Sequence, residues 1–376
     1  MVYFEGETQS SGAYIFRPAD DLPTCFKVQN FTFYHGKLFD EIHQVYNDWL
    51  VQTLRLYKNS TNIEFDWQVG PINVDDQVGK EVIFRIETDI GSDKFFYTDS
   101  NGREIMKREL NARHNSSNFP LSERVAGNYY PINSRIYLID SDDGRQMTLV
   151  TDRSQGASSL FEGNVEIMIH RRILHDDSLG VDENLNELGA DQKGLIVKGK
   201  FNLLFNRTDT SARLHRKLAH EIAMRPQIFF STSGDDFSML NDWTAVNGNI
   251  LPKNVNLLSL MKDIDSNGQE ENLLMRFEHF YEYNEDNELS EPVQFDLQDL
   301  FNGTFTITSL EELSLGANMN VDGLINRLKW NGENNENRPK IEKKENQFSN
   351  EKASPFIINL NPMQIRTFRV KYFRVK

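Results

Sequence analysis

The sequence predicts an all-β protein built from antiparallel sheets, and three observations carry that prediction. Apolar and polar residues alternate with period two through most of the apolar stretches. Clusters of Gly, Asn, Asp and Ser separate those stretches at short intervals. Only one window, SARLHRKLAHEIAM (211–224), spaces its apolar residues as a helix would, at Leu214, Leu218 and Ile222. Period two signals strands because successive side chains of an extended backbone point to opposite faces of the sheet.

The strand candidates follow in order. NIEFDWQVG (62–70), EVIFRIETD (81–89), RIYLID (135–140), QMTLVTD (146–152) and VEIMIH (165–170) are rich in β-branched and aromatic residues. In the last of these, alternation predicts Val165, Ile167 and Ile169 on one face and Glu166, Met168 and His170 on the other. TDSNGRE (98–104), DSDDGRQ (140–146) and SLFEGN (159–164) bound the runs as turns. DDGR between two apolar runs predicts a hairpin, with Asp-Gly taking the positive φ of a primed turn. The 211–224 window fits a helix or a strand.

Residues 230–255, rich in Ser, Asn, Asp and Gly, are expected to form a long connection. NLLSLMKDI (256–264) then opens a second strand series that includes TFTITSL (304–310) and closes with IRTFRVKYF (365–373). The expected domains are therefore 1–250 and 251–376. The charged, apolar-poor stretch 330–354 is expected to be a mobile loop.

With 376 residues, 26 Phe and 12 Tyr, the chain has enough apolar mass for a sizeable core. Its net charge of -15 argues against nucleic acid and anionic membrane as partners, since both would repel it. The single cysteine, Cys25, excludes a disulfide within the chain and is expected to be a buried structural thiol. Five Asn-x-Ser/Thr sequons, at Asn30, Asn59, Asn115, Asn206 and Asn302, are candidate glycosylation sites and tilt the reading towards the secretory pathway. No apolar run approaches membrane-spanning length, and MVYFEGETQSSGAY lacks the basic and apolar regions of a signal peptide.

The chemistry-bearing motifs are few. There is no phosphate-binding loop, dinucleotide fingerprint, CxxC pair or GxSxG, and HEIAM (220–224) lacks the second histidine of a zinc helix. His175-Asp176-Asp177 offers an H-x-D spacing, but two ligands do not make a site, and a solvated turn is the expected reading. Adjacent Asp176 and Asp177 point in different directions, so they do not provide the facing carboxyls, ~5 Å apart, of a retaining glycosidase. Arg171 and Arg172 sit at a strand end, where alternation lets at most one line a pocket; their bland reading is an ion pair with Asp176 or Asp177. Tyr14, in SSGAYIFRP, offers a phenol and otherwise reads as an ordinary strand tyrosine. Phe65, Trp67 and Trp330 are expected in packing rather than in a sugar-stacking platform.

Several long stretches say more than their spacing. SSGAYIFRP (10–18), WQVGPINVDDQVGKEVIFRIET (67–88), FYTDSNGREIMKRE (96–109), VAGNYYPINSRIYLID (125–140), TDRSQGASSLFEGNVEIMIHRRILHDDSLGV (151–181), FTITSLEELSLGAN (305–318) and NLNPMQIRTF (359–368) occur in that order. Together they resemble the C-terminal β region of class II α-mannosidases, glycoside hydrolase family 38, of the lysosomal type. The resemblance implies a large mutarotase-like supersandwich followed by a smaller immunoglobulin-like sandwich. It implies a retaining exo-α-mannosidase acting on N-glycan oligosaccharides in a lysosome or vacuole, or after secretion, with two carboxylates and a zinc ion at its centre. It places the zinc ligands, the nucleophile and the acid/base in the N-terminal half of the family, so no cofactor, metal ligand or catalytic residue is expected in this chain. Zinc is expected in the catalytic domain, which would be this chain's partner along with a mannose-containing oligosaccharide. The resemblance maps a pocket-rim tyrosine onto Tyr14 and a rim arginine onto either Arg171 or Arg172, with Asp176 and Asp177 holding that arginine. The chain alone is then expected to be inactive, as a truncated record or as a processed chain that stays with its catalytic partner. The rival expectation is a free-standing, non-catalytic carbohydrate-binding module.

Overall fold

The computed structural model describes residues 1–4, 11–112, 123–176, 178, 180, 182–230, 246, 250–264, 271–301, 305–321, 323 and 354–374. The chain divides into two compact units, Met1–Pro226 and Gln227–Lys376. Strands dominate both, and every sheet is antiparallel throughout.

The first unit carries fourteen described strands: β1 (Val2–Phe4), β2 (Asn30–His35), β3 (Phe39–Val45), β4 (Leu50–Tyr57), β5 (Asn62–Val69), β6 (Lys80–Glu87), β7 (Phe95–Ser100), β8 (Glu104–Glu109), β9 (Tyr130–Ile132), β10 (Arg135–Ile139), β11 (Arg145–Thr151), β12 (Gln155–Ser158), β13 (Asn164–Arg172) and β14 (Val197–Arg207). They form a five-stranded sheet, β1-β6-β13-β12-β9, and a nine-stranded sheet, β2-β3-β4-β5-β14-β11-β10-β7-β8. The main core joins the two. Val82, Phe84, Val165 and Ile167 from the smaller sheet meet Phe65, Trp67, Leu149 and Phe201 from the larger. Trp67 lies flat enough on β14 that a Cβ at Gly199 would sit 2.3 Å from its ring, so this contact admits only glycine.

The five-stranded sheet is buried on its other face too. There Tyr3, Ile83, Phe16 and Val125 form a second cluster with Met168 and Tyr129. A β-bulge in β13 sets which arginine reaches this face. The pairing with β6 runs Ile167↔Phe84 and Met168↔Ile83, skips Ile169, and resumes at His170↔Val82, Arg171↔Glu81 and Arg172↔Lys80. The extra residue reverses the parity. His170, expected beside Glu166 and Met168, instead opposes core-facing Val82, and Arg171 joins Glu81 on the outer face.

Helix α1 (Thr208–Ala223) follows β14 and resolves the ambiguous window as helical. Leu214, Leu218 and Ile222 pack with Ala219 onto Val150 and Leu204, at the predicted spacing. Two other expectations change. The DDGR hairpin joins β10 to β11, but only Gly144 takes positive φ, at 70°. The Asp140 carboxylate accepts from the amides of Asp142 (3.0 Å) and Asp143 (3.4 Å), which holds a longer loop instead of a two-residue primed turn. Cys25 is exposed, not buried; it lies in the irregular segment between β1 and β2, outside both sheets.

The second unit has β15 (Val255–Ile264), β16 (Glu271–His279), β17 (Val293–Asp296), the one-turn α2 (Leu297–Leu300), β18 (Phe305–Leu313), β19 (Ile357–Leu360) and β20 (Ile365–Arg374). A four-stranded sheet, β15-β16-β20-β18, and the pair β17-β19 enclose Met275, Phe277, Phe295, Leu297, Ile358 and Phe368. Trp330 and nearly all of 330–354 lie outside the described residues, as does most of 230–255.

Candidate functional site: an anchored loop on the outer face of the small sheet

The predicted rim residues converge on residues 11–17, which lie against the outer face of the five-stranded sheet. The segment closes on itself: Ser11 Oγ accepts from the Arg17 amide (2.9 Å) and donates to the Arg17 carbonyl (3.2 Å), and the Gly12 amide donates to the Ile15 carbonyl (3.0 Å). The Arg17 side chain is tied to Glu123 at 2.9 Å. Phe16 anchors the loop, buried edge-to-face against Tyr3 (5.4 Å) and Tyr129 (5.5 Å). Tyr14, at the turn of the loop, is 78% exposed. Its backbone neighbours are held while its phenol faces outward, so the strand tyrosine of the bland reading is replaced by a loop tyrosine.

Arg171 reaches this loop from the sheet. Its Nη1 donates to the carbonyls of Gly12 (2.7 Å) and Ile15 (3.3 Å), and its guanidinium lies 5.6 Å from the Phe16 ring centre. Its Nε donates to the Glu81 carboxylate, directly across the strand pair. Burial pushes the Glu81 carboxyl above the usual carboxylate range, and the adjoining Arg171 charge opposes that rise. Below Glu81 the same face holds a second buried carboxylate. Glu166 accepts from Tyr3 Oη (3.2 Å), Tyr129 Oη (2.5 Å) and Arg85 Nε (2.8 Å). Burial first, and then the Glu166 charge, raise the Tyr3 and Tyr129 phenols, which therefore stay neutral donors.

Arg172 faces elsewhere. It is buried, with Nη1 donating to the carbonyls of Ile72 (2.7 Å) and Lys193 (2.8 Å) and Nε to Asn186 (2.7 Å). It ties the β5–β6 connection to the β13–β14 connection and does not approach the Tyr14 loop through any of these bonds. The expected aspartate support takes a different form. Asp176 accepts from its own turn, at the amide (3.0 Å) and hydroxyl (3.3 Å) of Ser178, while Asp177 lies outside the described residues. The carboxylate that holds Arg171 is Glu81. The signal for it was present, since a charged Lys80-Glu81 pair precedes the apolar run Val82–Phe84, but the pairing register needed to use that signal was not.

Among the described residues no three His, Cys, Asp or Glu side chains come together as a metal site, and His175 is exposed and outside any strand or helix. These side chains do not fit zinc, and no chemical step is assigned to a metal on this chain. Asn30 and Asn59 are exposed and Asn206 is half-buried; Asn115 and Asn302 lie outside the described residues.

Two family profiles match the chain. Residues 1–179 match the glycosyl hydrolases family 38 C-terminal domain, and residues 254–368 match the family 38 C-terminal beta sandwich domain. Lysosomal alpha-mannosidase from Bos taurus is 40% identical over 370 residues, which cover 96% of this chain and 35% of that protein. The Homo sapiens lysosomal alpha-mannosidase is 40% identical over 369 residues, covering 96% of this chain and 34% of that protein. An alpha-mannosidase from Arabidopsis thaliana is 36% identical, with 97% and 35% covered. The chain thus spans about a third of the length of these relatives. Among solved structures, an alpha-mannosidase from Enterococcus faecalis superposes with a TM-score of 0.56 over 98% of this chain and 38% of that one; at 11% identity the likeness is one of fold. Two matched profiles in sequence order, and an all-β antiparallel fold to accompany them, place this chain in glycoside hydrolase family 38, of which it carries the C-terminal region.

Proposed function

We propose that this chain is the β half of a retaining α-mannosidase of the lysosome or vacuole, acting on mannose-containing oligosaccharides in company with a catalytic domain that supplies the zinc ion and the two carboxyls. The chain's own residues would complete the rim of the sugar pocket. Tyr14 presents a phenol able to donate to or accept from a sugar hydroxyl. Arg171, with Nε and Nη1 committed to Glu81 and the loop, keeps its remaining guanidinium edge for a group beyond this chain. The observation that carries the reading is the exposed Tyr14 on a loop whose backbone is held at Gly12, Ile15 and Arg17. Preorganised, outward-facing polar groups are what a binding rim requires, because their ordering cost is met on folding.

A second feature supports the partnership. Paired residues of antiparallel strands share a face. The core face of the nine-stranded sheet can therefore be followed outward from Phe65 to Leu54, Ile42 and Phe33, and from Trp67 to Gln52, Gln44 and Phe31. It begins buried and ends with Phe33 56% and Phe31 66% exposed. A cleft of about 350 Å³ opens at its margin, lined in part by Phe26, Leu50, Leu54 and Phe84. The row Phe33–Ile42–Leu54 is apolar and is flanked by Gln44 and Gln52; a strip of this composition suits a polypeptide partner, and the occupant proposed is the counterpart of the relatives' remaining two-thirds. Aliphatic Ile42 and Leu54 in the same strip favour that over a sugar platform.

The test is reconstitution. The chain alone, given zinc and a chromogenic α-mannoside, is expected to show no turnover. Co-expression with the catalytic portion of a lysosomal-type relative is expected to give turnover, with Tyr14→Phe lowering kcat/KM roughly 10-fold, the scale of one lost hydrogen bond. Turnover by the chain alone, or a Tyr14→Phe enzyme equal to wild type, would overturn the corresponding half of the proposal.

A further inference from the structure

We infer that Glu81 is a positioning residue for the Tyr14 loop, acting through Arg171, and that the cross-strand pair Glu81–Arg171 is the latch that fixes this part of the rim. The inference rests on the reading of Tyr14 given above and adds to it the group that makes the loop rigid.

Without Glu81, the Arg171 guanidinium would lack a counter-charge in contact with it. An arginine on the outer face of a buried sheet is stable only if its charge is compensated, since the cost of a buried unpaired ion exceeds what carbonyl dipoles return. Two carbonyls, of Gly12 and Ile15, accept from Nη1. They orient the guanidinium but carry no net charge. Glu81 is the carboxylate in contact with it, itself buried and directly opposite in the register. Glu81 therefore holds the guanidinium, and the guanidinium holds the loop at both ends of its turn, on either side of Tyr14. The bulge at Ile169 is what makes this arrangement available, because without the extra residue Arg171 would face the core.

Apart from the Gly12 amide, which donates to the Ile15 carbonyl across the turn itself, the other restraints on the loop lie at its base. Ser11 and Arg17 close the neck, and Phe16 is seated between Tyr3 and Tyr129. Neither reaches the carbonyls of Gly12 and Ile15. Loss of the latch is thus expected to free residues 12–15 while leaving the neck and the sheet in place. This separates Glu81 from Glu166, whose partners Tyr3, Tyr129 and Arg85 belong to the sheet and its cover.

Two readouts test the inference, using Glu81→Gln, which keeps the shape and removes the charge, and Arg171→Lys, which keeps the positive charge but lacks the rigid fork that serves Glu81 from Nε and the loop carbonyls from Nη1. The first is amide hydrogen exchange of the whole chain. Both variants are expected to speed exchange in a peptide spanning 11–17 by roughly 10-fold, the scale of a lost charge-assisted hydrogen bond, with protection of β5, β6 and β14 unchanged. Arg171→Lys keeps the result interpretable should Glu81→Gln fold poorly. The second is steady-state kinetics of the reconstituted enzyme, where both variants are expected to raise KM several-fold with kcat within about twofold, and Glu81→Asp to recover part of the loss. Unchanged exchange over 11–17 in folded variants would overturn the latch whatever Tyr14 does. Loosened exchange with unchanged kinetics in Tyr14→Phe would leave the latch standing and remove the rim reading instead.

Discussion

At the scale of single residues, the outer face of the small sheet holds two buried carboxylates with separate duties. Glu81 answers one arginine that reaches outward to a loop. Glu166 is enclosed, and its acceptors are filled by two phenols and Arg85. A fully satisfied buried network of this kind adds little net stability but makes every member costly to remove, because each deletion strands the rest. Glu166→Ala is accordingly expected to destabilise the chain by about 3–5 kcal/mol, the range for an arginine left buried without its carboxylate. Pairing it with Arg85→Met should restore a large part of that loss. Urea unfolding of the two singles and the double gives the coupling directly. Additive losses would show that Glu166 and Arg85 are stabilised independently.

At the scale of elements, the sequence revealed eight of the twenty described strands, β5, β6, β10, β11, β13, β15, β18 and β20, because a half-buried strand must alternate to bury one face. The helix was legible from Leu214, Leu218 and Ile222 but could not be separated from a strand until its contact with Val150 and Leu204 was seen. The bulge was not legible at all: Met168-Ile169-His170 contains no glycine or other marker, and one inserted residue exchanged the faces of His170 and Arg171. That is why Tyr14 and an arginine of the 171–172 pair could be named from sequence, while the choice of Arg171 and the role of Glu81 could not. Helix α1 also carries a titration. His215 lies between the helix and the sheet, its ring stacked on Tyr137 at 5.7 Å. Burial first, then Arg135 and Arg216, push its pKa well below the ordinary value. The folded chain thus keeps this ring neutral while the unfolded chain takes up a proton near pH 6.5. Its contribution to stability is intact above that pH and falls as the pH drops below it, by at most about 1.4 kcal/mol per unit. Between pH 7 and pH 5 the loss from this group should approach about 2 kcal/mol. His215→Gln should shrink the acid-induced loss by that amount in urea titrations at the two pH values, and an unchanged loss would mean the ring is protonated in the fold.

At the scale of the whole molecule, the nine-stranded sheet has more strands than the five-stranded sheet it packs against, and its edge strand β2 gives no residue to the core they share. This strand has every side chain exposed, including Phe31, Phe33 and Tyr34, and it forms one edge of the sheet. An apolar edge strand without proline or lysine is what a free-standing protein avoids, since it invites pairing with any other strand. An element of a larger assembly is under no such constraint, because the surface is covered in the finished protein. The two explanations predict different results for Phe31→Ser/Phe33→Ser. Side chains already exposed contribute little burial to the fold, so the double variant is expected to change unfolding free energy by less than about 1 kcal/mol. Its self-association in sedimentation velocity is expected to fall, and its capture by the co-expressed catalytic portion of a lysosomal-type relative to weaken at least 10-fold, which by the affinity scale is about 1.4 kcal/mol. A variant that unfolds readily would show that the two rings are covered by this chain itself. A variant that keeps both its stability and its grip on the catalytic portion would place the docking surface elsewhere on the β half.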